Sequence, residues 1–390
     1  MITNVGGSIL GEGTYGCVFH PPIKCDYDKK RRSGVGKVIQ NMYDAQEEIQ
    51  IGKKLLKIDP NGKFTNPMMG DCIITKKNIT NKDEGNLICG LTSTLNEFKT
   101  YKQIIYKYKG EDLLVAKTKG LTNFINIIEG LQVLQKSNIC HRDIKEQNIL
   151  FVKKKYILID FGLSLQLNEV FTFNEHSILM FDYMYYPPEF KIIAIMEYLK
   201  SVTTYHDTKI LVDAIYTNMN KHNFIHQYKY LKPVLKELGI YKDIRLNVYN
   251  AIYKIVNDTY KMTDIQRKKY LTNLAKFADI FSLGVVILNE SKQAELTSYK
   301  QIQIHAIIKK TIHFDVFNRY TIDELLNDFK HFVGNTRSSN KCINNFTLNT
   351  LRSIAKTNNV RTSGNKHDIY DRVSSFIKGY TSANLKTAAM

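Results

Sequence analysis

The stretch HRDIKEQNIL, residues 141–150, decides how this chain is interpreted. Twelve positions after Asn148 comes the triplet DFG at 160–162, directly behind the apolar run YILI. The first stretch supplies a carboxylate to accept a hydroxyl proton, a cation for a transferring phosphate and an amide oxygen for a metal ion. The triplet adds a second carboxylate. Charge spreads over a migrating phosphoryl group and must be met by fixed cations and metal, so this set predicts phosphoryl transfer.

A glycine-rich stretch near the N-terminus, GEGTYGCV, fits the same chemistry. Where side chains are absent, backbone N–H groups can approach phosphate oxygens. Val18 and Phe19 continue as a strand and Pro21-Pro22 exclude a helix, so we expect a strand-loop-strand flap over the nucleotide and not a dinucleotide-binding turn. A plain flexible hairpin is the alternative. The residues predicted to bind ATP are Gly11, Glu12, Gly13, Thr14, Tyr15, Gly16, Val18 and Lys37.

Lys37 lies in the strand-like VGKVI, and Glu48 follows on the predicted helix DAQEEIQIGKKLL. The expected role of this lysine is to grip the α- and β-phosphates while the glutamate holds it. Glu47 competes as the partner, but Glu48 opens the EIxI pattern and is the better choice. The alternative for each residue is an ordinary solvated surface charge.

With these motifs, residues from about 8 to 333 resemble the eukaryotic-type protein kinase family. The resemblance implies that Asp143 orients the attacking hydroxyl and that Lys145, at the position typical of serine/threonine kinases, supports the γ-phosphate. It implies a metal site at Asn148 and Asp160 for Mg²⁺, with Mn²⁺ as an alternative ion. The predicted catalytic residues are Asp143, Lys145, Lys37 and Glu48, and the implied cofactors are ATP and Mg²⁺.

The resemblance also implies a set of structural residues. Pro188 and Glu189 in YPPEF resemble the end of an activation segment, and DIFSLG at 279–284 resembles the helix that anchors the catalytic loop. The stretch around Tyr106 to Tyr108 resembles the hinge. The residues assigned structural roles are His141, Arg142, Phe161, Gly162, Glu189, Asp279 and Arg319.

Several positions depart from the family pattern. Gly36 precedes the lysine, Pro187 replaces a small residue, and Asp182 replaces a threonine expected to position the peptide substrate. The largest departure is the gap of 90 positions from Glu189 to Asp279, which predicts an inserted helical subdomain. Candidate phosphate acceptors in the activation segment are Ser164, Thr172 and Ser177, and Arg142 would be the partner of such a phosphate. The alternative is that these three are ordinary loop hydroxyls.

The predicted fold class is α+β, two-lobed and protein-kinase-like, with a β-rich N-lobe and an α-rich C-lobe. The kinase domain is expected over 1–335, with the N-lobe at about 1–108, the C-lobe at about 109–335 and the helical insertion at about 195–272. A linker at 336–345, a small helix-extended-helix module at 346–380 and a tail at 381–390 complete the prediction.

The C-terminal module carries a local basic excess, because 337–378 contains eight Lys or Arg against two Asp. Its apolar spacing predicts helix, extended turn and helix, and it resembles the SAP family of DNA-binding motifs, with Asn359 where a glycine is common. The alternative is a basic helical hairpin that packs on the kinase or binds protein. The residues implied to face DNA phosphates are Arg361, Ser363, Gly364, Asn365 and Lys366.

Composition bounds the location and the partners. The net charge of +18 favours an anionic partner, although abundant Asn, Ile, Lys and Tyr give a purely compositional explanation. Six scattered cysteines predict reduced thiols in an intracellular, soluble protein, and no signal peptide or apolar run near the roughly 18 residues of a membrane span is expected. The composition and the YPPE ending resemble kinases of large cytoplasmic DNA viruses, which implies host cytoplasm or virion.

The predicted activity is ATP-dependent phosphorylation of Ser or Thr in protein substrates, with DNA as a second partner through 346–380 and no membrane partner. One alternative is a kinase-fold scaffold or DNA-associated binding protein with weak or absent turnover. The other is a kinase acting on a small molecule or lipid, for which the altered substrate loop and the insertion leave room. Retention of all phosphate and metal ligands favours the active enzyme.

Overall fold

The computed structural model describes most of residues 8–334 and isolated positions beyond them. The described residues are 8–13, 16–28, 32–75, 78, 100–116, 120–167, 183–202, 206–221, 223–334, 348, 352, 355–356, 361–366, 368–370 and 372–373. The chain divides into two compact units. The first combines 1–119 with 129–166, and the second combines 120–128 with 167–390.

The first unit is built on a five-stranded antiparallel sheet with the strand order β1-β2-β3-β5-β4. Its strands are β1 Ser8–Gly13, β2 Gly16–His20, β3 Val35–Ile39, β4 Met68–Ile74 and β5 Tyr101–Tyr106. Every residue of β3 is buried, as its apolar composition predicts for a central strand. The sheet therefore holds Lys37 in its interior, with neighbouring strands on both sides.

Helix α1, Met42–Ile58, packs against this sheet. The Asn41 side chain caps its N-terminus by accepting a hydrogen bond from the Tyr43 N–H at 2.9 Å, as capping residues do. Its buried face follows helical spacing and consists of Ala45, Glu48, Ile49, Ile51, Gly52 and Leu55. Glu48 therefore points inward from an otherwise apolar face. The prediction of a helix near 45–56 is confirmed.

The rest of the first unit carries two small sheets that shape the 141–162 region. One has the order β6-β8-β9, and the other pairs β7 with β10. Their ranges are β6 Glu111–Asp112, β7 Ile139–Cys140, β8 Ile149–Val152, β9 Lys155–Leu158 and β10 Leu165–Gln166. Helices α2, Leu113–Ala116, and α3, Phe124–Lys136, lie between β6 and β7 in the chain. The β8-β9 hairpin places the residues after β9 beside those before β8.

The expectation of reduced thiols is wrong for Cys17, Cys25 and Cys72, which are disulfide-bonded in the structure, Cys25 with Cys72. Gln103 of β5 explains the approach. Its side chain accepts a hydrogen bond from the Ile23 N–H and donates one to the Ile23 carbonyl, both at 2.8 Å. The segment after β2 is thereby fixed beside β4, with the two cysteine Cα atoms 6.1 Å apart, within disulfide range.

The second unit is helical. After α3, its helices are α4 Pro188–Val202, α5 Thr208–Lys221, α6 Lys232–Glu237, α7 Ile244–Thr259, α8 Asp264–Leu274, α9 Lys276–Ser291, α10 Ser298–Thr311 and α11 Ile322–Gly334. Helix α9 is buried on nearly all sides and packs closely on α10. A Cβ at Gly284 would lie 2.6 Å from the Thr311 hydroxyl oxygen, so this approach requires glycine. Pro233 sits in the first turn of α6, where a proline is tolerated.

One described helical stretch, Asp264–Ser291, is long and apolar enough to cross a bilayer. Of its most apolar window, 83% is buried inside the protein, which is the pattern of a core helix. The expectation that no apolar run approaches this length is therefore wrong. The physical reason is that α8 and α9 follow each other almost without interruption, and α9 forms the centre of the helical unit.

Candidate active site

The glycine-rich stretch forms the β1-β2 hairpin, in which Gly13 pairs with Gly16 and Gly11 with Val18. A Cβ at Gly16 would lie 2.1 Å from the Val38 carbonyl oxygen, so the close approach of β2 to β3 needs glycine there. A Cβ at Gly11 would meet nothing within 4 Å, so one side of the hairpin backbone is open. The predicted contacts Thr14 and Tyr15 lie outside the described residues.

Lys37 of β3 joins two carboxylates from distant parts of the chain. Its Nζ donates to Glu48 Oε2 and to Asp160 Oδ1, both at 2.7 Å. The side chains of Lys37 and Glu48 are 10% and 2% exposed, whereas that of Asp160 is 36% exposed. The ion pair therefore extends from the buried face of α1 to a carboxylate that solvent reaches.

Tyr106, the last residue of β5, completes this arrangement. Its hydroxyl donates to Glu48 Oε1 at 2.7 Å, so each oxygen of that carboxylate has its own donor. We call Lys37, Glu48, Asp160 and Tyr106 the Lys37 cluster. The sequence placed Tyr106 only in the hinge. Its bond to Glu48 had no sequence signal except its register, because Tyr106 pairs with Val35, two residues before the lysine and on the same face of β3.

Charge and burial set the protonation states in the Lys37 cluster. Burial alone would lower the pKa of Lys37, but Glu48 and Asp160 raise it above its ordinary value. Burial opposes ionisation of Asp160, yet the Lys37 charge and hydrogen bond hold the pKa of that carboxyl below its usual range. Burial, together with the Glu48 charge, raises the pKa of Tyr106 well above normal. The cluster is therefore a fixed cation between two carboxylates, with a neutral phenol as an added donor.

The 141–148 loop forms a second set of contacts around Asp143. Lys145 Nζ donates to Asp143 Oδ2 at 2.8 Å, and the Asn148 amide donates to both Oδ2 and the main-chain carbonyl of Asp143 at 2.8 Å. Asp143 is 7% exposed. We call Asp143, Lys145 and Asn148 the Asp143 cluster. Its carboxylate is held in one orientation by two side chains from its own loop.

His141 connects this loop to the strand that leads to Asp160. Its Nε2 lies 2.9 Å from the Ile159 carbonyl oxygen, and the Asp143 N–H donates to its Nδ1 at 3.2 Å, so the proton belongs on Nε2. Its ring lies 4.6 Å from that of Phe161. Arg142 and Asp160 adopt positive φ angles of 67° and 62°, which side chains rarely take and which occur often at functional sites.

Gly162 and the buried ion pair of the second unit occupy the remaining predicted structural positions. A Cβ at Gly162 would lie 3.1 Å from Glu48 Oε2, so a larger residue would crowd the Lys37 cluster.

In the second unit, the Arg319 guanidinium bonds both oxygens of Glu189, at 2.5 and 3.0 Å. Asp279 is buried at 1% exposure, and the Ser282 hydroxyl donates to the Tyr185 carbonyl at 2.8 Å.

Residues 5–333 match the family described as the protein kinase domain. The chain belongs to the protein kinase family. This confirms the predicted kinase domain, and a β-sheet part followed by a helical part agrees with the two-lobed kinase fold.

Several curated kinases resemble the chain over parts of their length. Serine/threonine-protein kinase ppk5 of Schizosaccharomyces pombe is 25% identical over 333 residues, which are 81% of this chain and 34% of that protein. Calcium-dependent protein kinase 3 of Plasmodium yoelii yoelii is 28% identical over 179 residues, 43% of this chain and 28% of its own. Mitogen-activated protein kinase kinase kinase 8 of Rattus norvegicus is 43% identical over 44 residues, 11% and 9% of the two chains. The chain thus spans about a third or less of these relatives.

Kinase domains use ATP and a divalent metal, and the oxygen atoms present here fit such an ion. Asp160 Oδ1 is taken by Lys37, but within the described residues no hydrogen bond reaches its Oδ2 or the Asn148 side-chain oxygen. The Ile159 N–H donates to the Asn148 carbonyl at 3.0 Å, so Ile159, the residue directly before Asp160, lies beside Asn148. Carboxylate and amide oxygens are the ligands that Mg²⁺ and similar hard cations prefer.

Of the predicted regulatory positions, only Ser164 falls among the described residues, where its hydroxyl donates to the His141 carbonyl at 3.4 Å. Thr172, Ser177 and Asp182 lie outside them.

In the C-terminal module, Arg361 bonds the Ser363 hydroxyl at 2.6 Å, and Asn365 exchanges capping bonds with Asp368 at 2.9 and 3.0 Å. Asn365 is therefore partly occupied by an internal carboxylate, which sequence inspection did not predict.

Proposed function

We propose that the protein is an active serine/threonine protein kinase that transfers the γ-phosphate of ATP, with Mg²⁺, to hydroxyl groups of protein substrates. The observation that supports this most strongly is the presence of the Lys37 cluster and the Asp143 cluster in one compact unit, each held by hydrogen bonds of 2.7–2.8 Å. Such fixed charges need little rearrangement when phosphate charge develops. The similarity to serine/threonine-protein kinase ppk5 supports the same class of substrate.

Each residue has a definite part in this proposal. The Asp143 carboxylate accepts a hydrogen bond from the attacking hydroxyl and orients it, while the Lys145 ammonium balances charge on the transferring group. Lys37, held by Glu48, grips the inner phosphates of ATP. A Mg²⁺ ion held by Asn148 and Asp160 would neutralise phosphate charge when bound.

The deciding experiment measures labelled phosphate transfer from Mg-ATP to basic and acidic model proteins. Asp143→Asn and Asp160→Asn should each lower the rate by roughly 10²–10⁴-fold, because the first removes the carboxylate that orients the attacking hydroxyl and the second removes one that would hold the metal. Asp323→Asn, at an exposed aspartate in the first turn of α11, is the matched control and should match wild type. Phosphoamino-acid analysis should find the label on Ser or Thr.

The same assay separates the two alternatives. ATP binding without transfer above the Asp143→Asn background would indicate a nucleotide-binding scaffold. Labelling of small molecules or lipids, with no labelling of proteins in a whole extract, would indicate a kinase for those substrates.

A second proposed function is attachment to DNA through 346–380, and one local observation favours it. The Arg372 guanidinium bonds the carbonyls of Arg361 and Ser363. The turn at 361–364, in which Gly364 has a φ of 116°, is thereby held in one shape. Arg361 is exposed on this turn, as a phosphate contact must be. Asp368 nearby works against binding, so we assign the phosphate contacts chiefly to Arg361 and Lys366.

DNA attachment is tested by retention on immobilised duplex DNA at increasing salt. Deletion of 341–380 should abolish retention. Arg361→Ala and Lys366→Ala should each reduce the salt slope by about 1, while Lys330→Ala on exposed α11 surface should not. Unchanged, salt-sensitive retention after the deletion would assign the binding to the kinase domain's general positive charge.

Location in host cytoplasm or virion is also part of the proposal. It is supported by the resemblance in composition and motif to kinases of large cytoplasmic DNA viruses. Detection of the protein in purified particles or in the cytoplasmic fraction of infected cells would support it, and a host-encoded gene would contradict it.

A further inference from the structure

The segment 183–187, directly before α4, is held by its main-chain carbonyls. Within it, the Tyr186 N–H donates to the Tyr183 carbonyl at 3.0 Å and closes a turn. From α9, the Ser282 hydroxyl donates to the Tyr185 carbonyl at 2.8 Å. This segment ends at the Pro187-Pro188 pair, in the region that a kinase uses to position its peptide substrate. Its shape therefore depends on side chains that come from elsewhere in the second unit.

Two of those side chains come from the middle of the long insertion. Gln227 and Tyr228 lie in the 3-10 helix Phe224–Tyr228, between α5 and α6. The Gln227 amide donates to the Tyr186 carbonyl at 2.8 Å and lies 3.5 Å from the Tyr183 carbonyl. The Tyr228 hydroxyl donates to the same Tyr186 carbonyl at 2.8 Å. One carbonyl of the segment thus receives two donors from the insertion.

Both donors are fixed by the core of the second unit. Gln227 and Tyr228 are 3% and 1% exposed. The Tyr228 ring packs edge-on against Phe314, with centroids 4.9 Å apart, and against Phe281 at 6.0 Å. Burial and the Glu189 charge raise the pKa of its hydroxyl well above normal, so it stays a proton donor. Rings packed in this way leave the hydroxyl little freedom to follow a moving segment.

From these contacts we propose that the insertion at about 195–272 braces the substrate-positioning segment, with Gln227 and Tyr228 as positioning residues. The inference rests on the proposed kinase function, because it assigns 183–187 to the protein substrate. Loss of the donors to this partly buried carbonyl costs free energy, so the segment would shift to find water. The brace therefore acts on the protein substrate and not on ATP.

The test uses Gln227→Met and Tyr228→Phe, which nearly keep side-chain volume and remove the donors. Gln227→Met also removes Oε1, which is buried and makes no hydrogen bond within the described residues. Tyr230→Phe is the matched control, because Tyr230 lies in the same insertion and is 72% exposed. Steady-state kinetics would give kcat and KM for a protein substrate and for ATP, together with ATP hydrolysis in the absence of protein. Hydrogen exchange would be followed at the amides of 183–190 in the same samples.

Each donor-deleted variant should lower kcat/KM for the protein substrate by roughly two- to tenfold, the effect of one lost hydrogen bond, because the other donor still reaches the Tyr186 carbonyl. KM for ATP and ATP hydrolysis should stay within about twofold of wild type, and exchange at 183–190 should accelerate, because the lesion is local. Tyr230→Phe should change none of these values.

Two results would overturn the brace. One is kinetics and exchange in both variants equal to those of Tyr230→Phe. The other is an equal loss in the ATP and protein measurements, which would mean general destabilisation. Failure of the wild type to transfer phosphate would contradict the proposed function instead, and in that case the exchange at 183–190 still decides whether the insertion holds the segment.

Discussion

Two buried ion pairs, one in each unit, differ in how many of their hydrogen-bonding groups are already used. In the second unit, Arg319 and Glu189 are 0% and 1% exposed, and all five guanidinium N–H groups are bonded, to the Glu189 carboxylate and to the carbonyls of Phe277 and His313. In the first unit, the Lys37 ammonium uses two of its three donors within the described residues. Among the residues that the structure describes, none bonds the second Asp160 carboxylate oxygen, and the side chain remains 36% exposed.

This difference separates a pair that stabilises the fold from one that is available to a ligand. Breaking a fully buried pair strands a charge away from water, so such pairs matter for stability when one partner is lost. A pair with a spare donor and an exposed oxygen can exchange partners when phosphate and metal arrive. The spare groups of the Lys37 cluster are thus better evidence for function than its short distances.

Arg319→Met should produce the largest effect on stability. It leaves Glu189 buried without a counter-charge, and the free energy of unfolding should fall by about 3–5 kcal/mol. The comparison is Arg245→Met, because Arg245 is exposed and bonds the neutral Asn220 side chain. Denaturant unfolding of both variants measures the difference. Equal stability of the two variants would contradict the structural role assigned to the Glu189 pair.

Lys37→Met should instead affect activity. Loss of the cation that meets the phosphates should lower kcat/KM for transfer by roughly 10²–10³-fold, or about 2.7–4 kcal/mol. Lys37→Met also leaves the buried Glu48 carboxylate without its counter-charge, but the Tyr106 hydroxyl still bonds Glu48 Oε1 and Asp160 reaches solvent. Its unfolding free energy should therefore fall by less than that of Arg319→Met. Lys53→Met, on the exposed side of α1, is the control. Wild-type phosphate transfer by Lys37→Met would contradict the functional role assigned to the Lys37 cluster.

Sequence reasoning reached the residues that we propose carry the chemistry, but it missed side chains that hold them in place. Lys37, Glu48, Asp143 and Asp160 were predicted because their spacing matches what phosphoryl transfer needs, and the structure brings Lys37, Glu48 and Asp160 together. Tyr106 was not predicted as a partner of Glu48, because an aromatic residue at a strand end is common and its bond spans 58 positions.

The insertion shows the same limit. Its helices were predicted from apolar spacing, but Gln227 carries no signal that it bonds a carbonyl 41 positions away. The Cys25–Cys72 pair was missed for a related reason, because two cysteines 47 positions apart become neighbours only after the sheet has formed. Local periodicity encodes the elements, whereas these contacts depend on how distant elements pack.

His305 on α10 provides a pH-dependent contrast to both pairs. Burial, together with the nearby Lys309 charge, lowers the pKa of His305 to about 4, and within the described residues no carboxylate bonds its ring. The unfolded chain takes up this proton near pH 6.5 and the folded protein only near 4. Stability contributed by the neutral ring is therefore complete above pH 6.5 and is lost as the pH falls towards 4.

A pKa difference of this size corresponds to about 3 kcal/mol at most. Unfolding measured from pH 7 to pH 4 should show a smaller loss of stability in His305→Gln than in wild type. His331→Gln, at an exposed histidine of α11, should follow the wild-type curve. Identical pH dependence in all three proteins would mean that His305 is solvated when the protein is folded.

Tyr106→Phe should give the smallest change in stability and activity of the four variants, and it tests the Lys37–Glu48 pair most directly. The change removes the hydroxyl that holds Glu48 Oε1 and leaves the ring in place, so one hydrogen bond to a charged group is lost, worth about 1.5 kcal/mol. Glu48 then holds Lys37 less firmly, and KM for ATP should rise by up to roughly tenfold with little change in KM for protein substrate. Tyr43→Phe is the control, since Tyr43 lies in the first turn of α1 and is 72% exposed. If Tyr106→Phe and Tyr43→Phe had the same KM for ATP, Lys37 alone would suffice to position Glu48. The unused Lys37 donor and the exposed Asp160 oxygen, and not the Tyr106 bond, would then distinguish the Lys37 cluster from the Arg319–Glu189 pair.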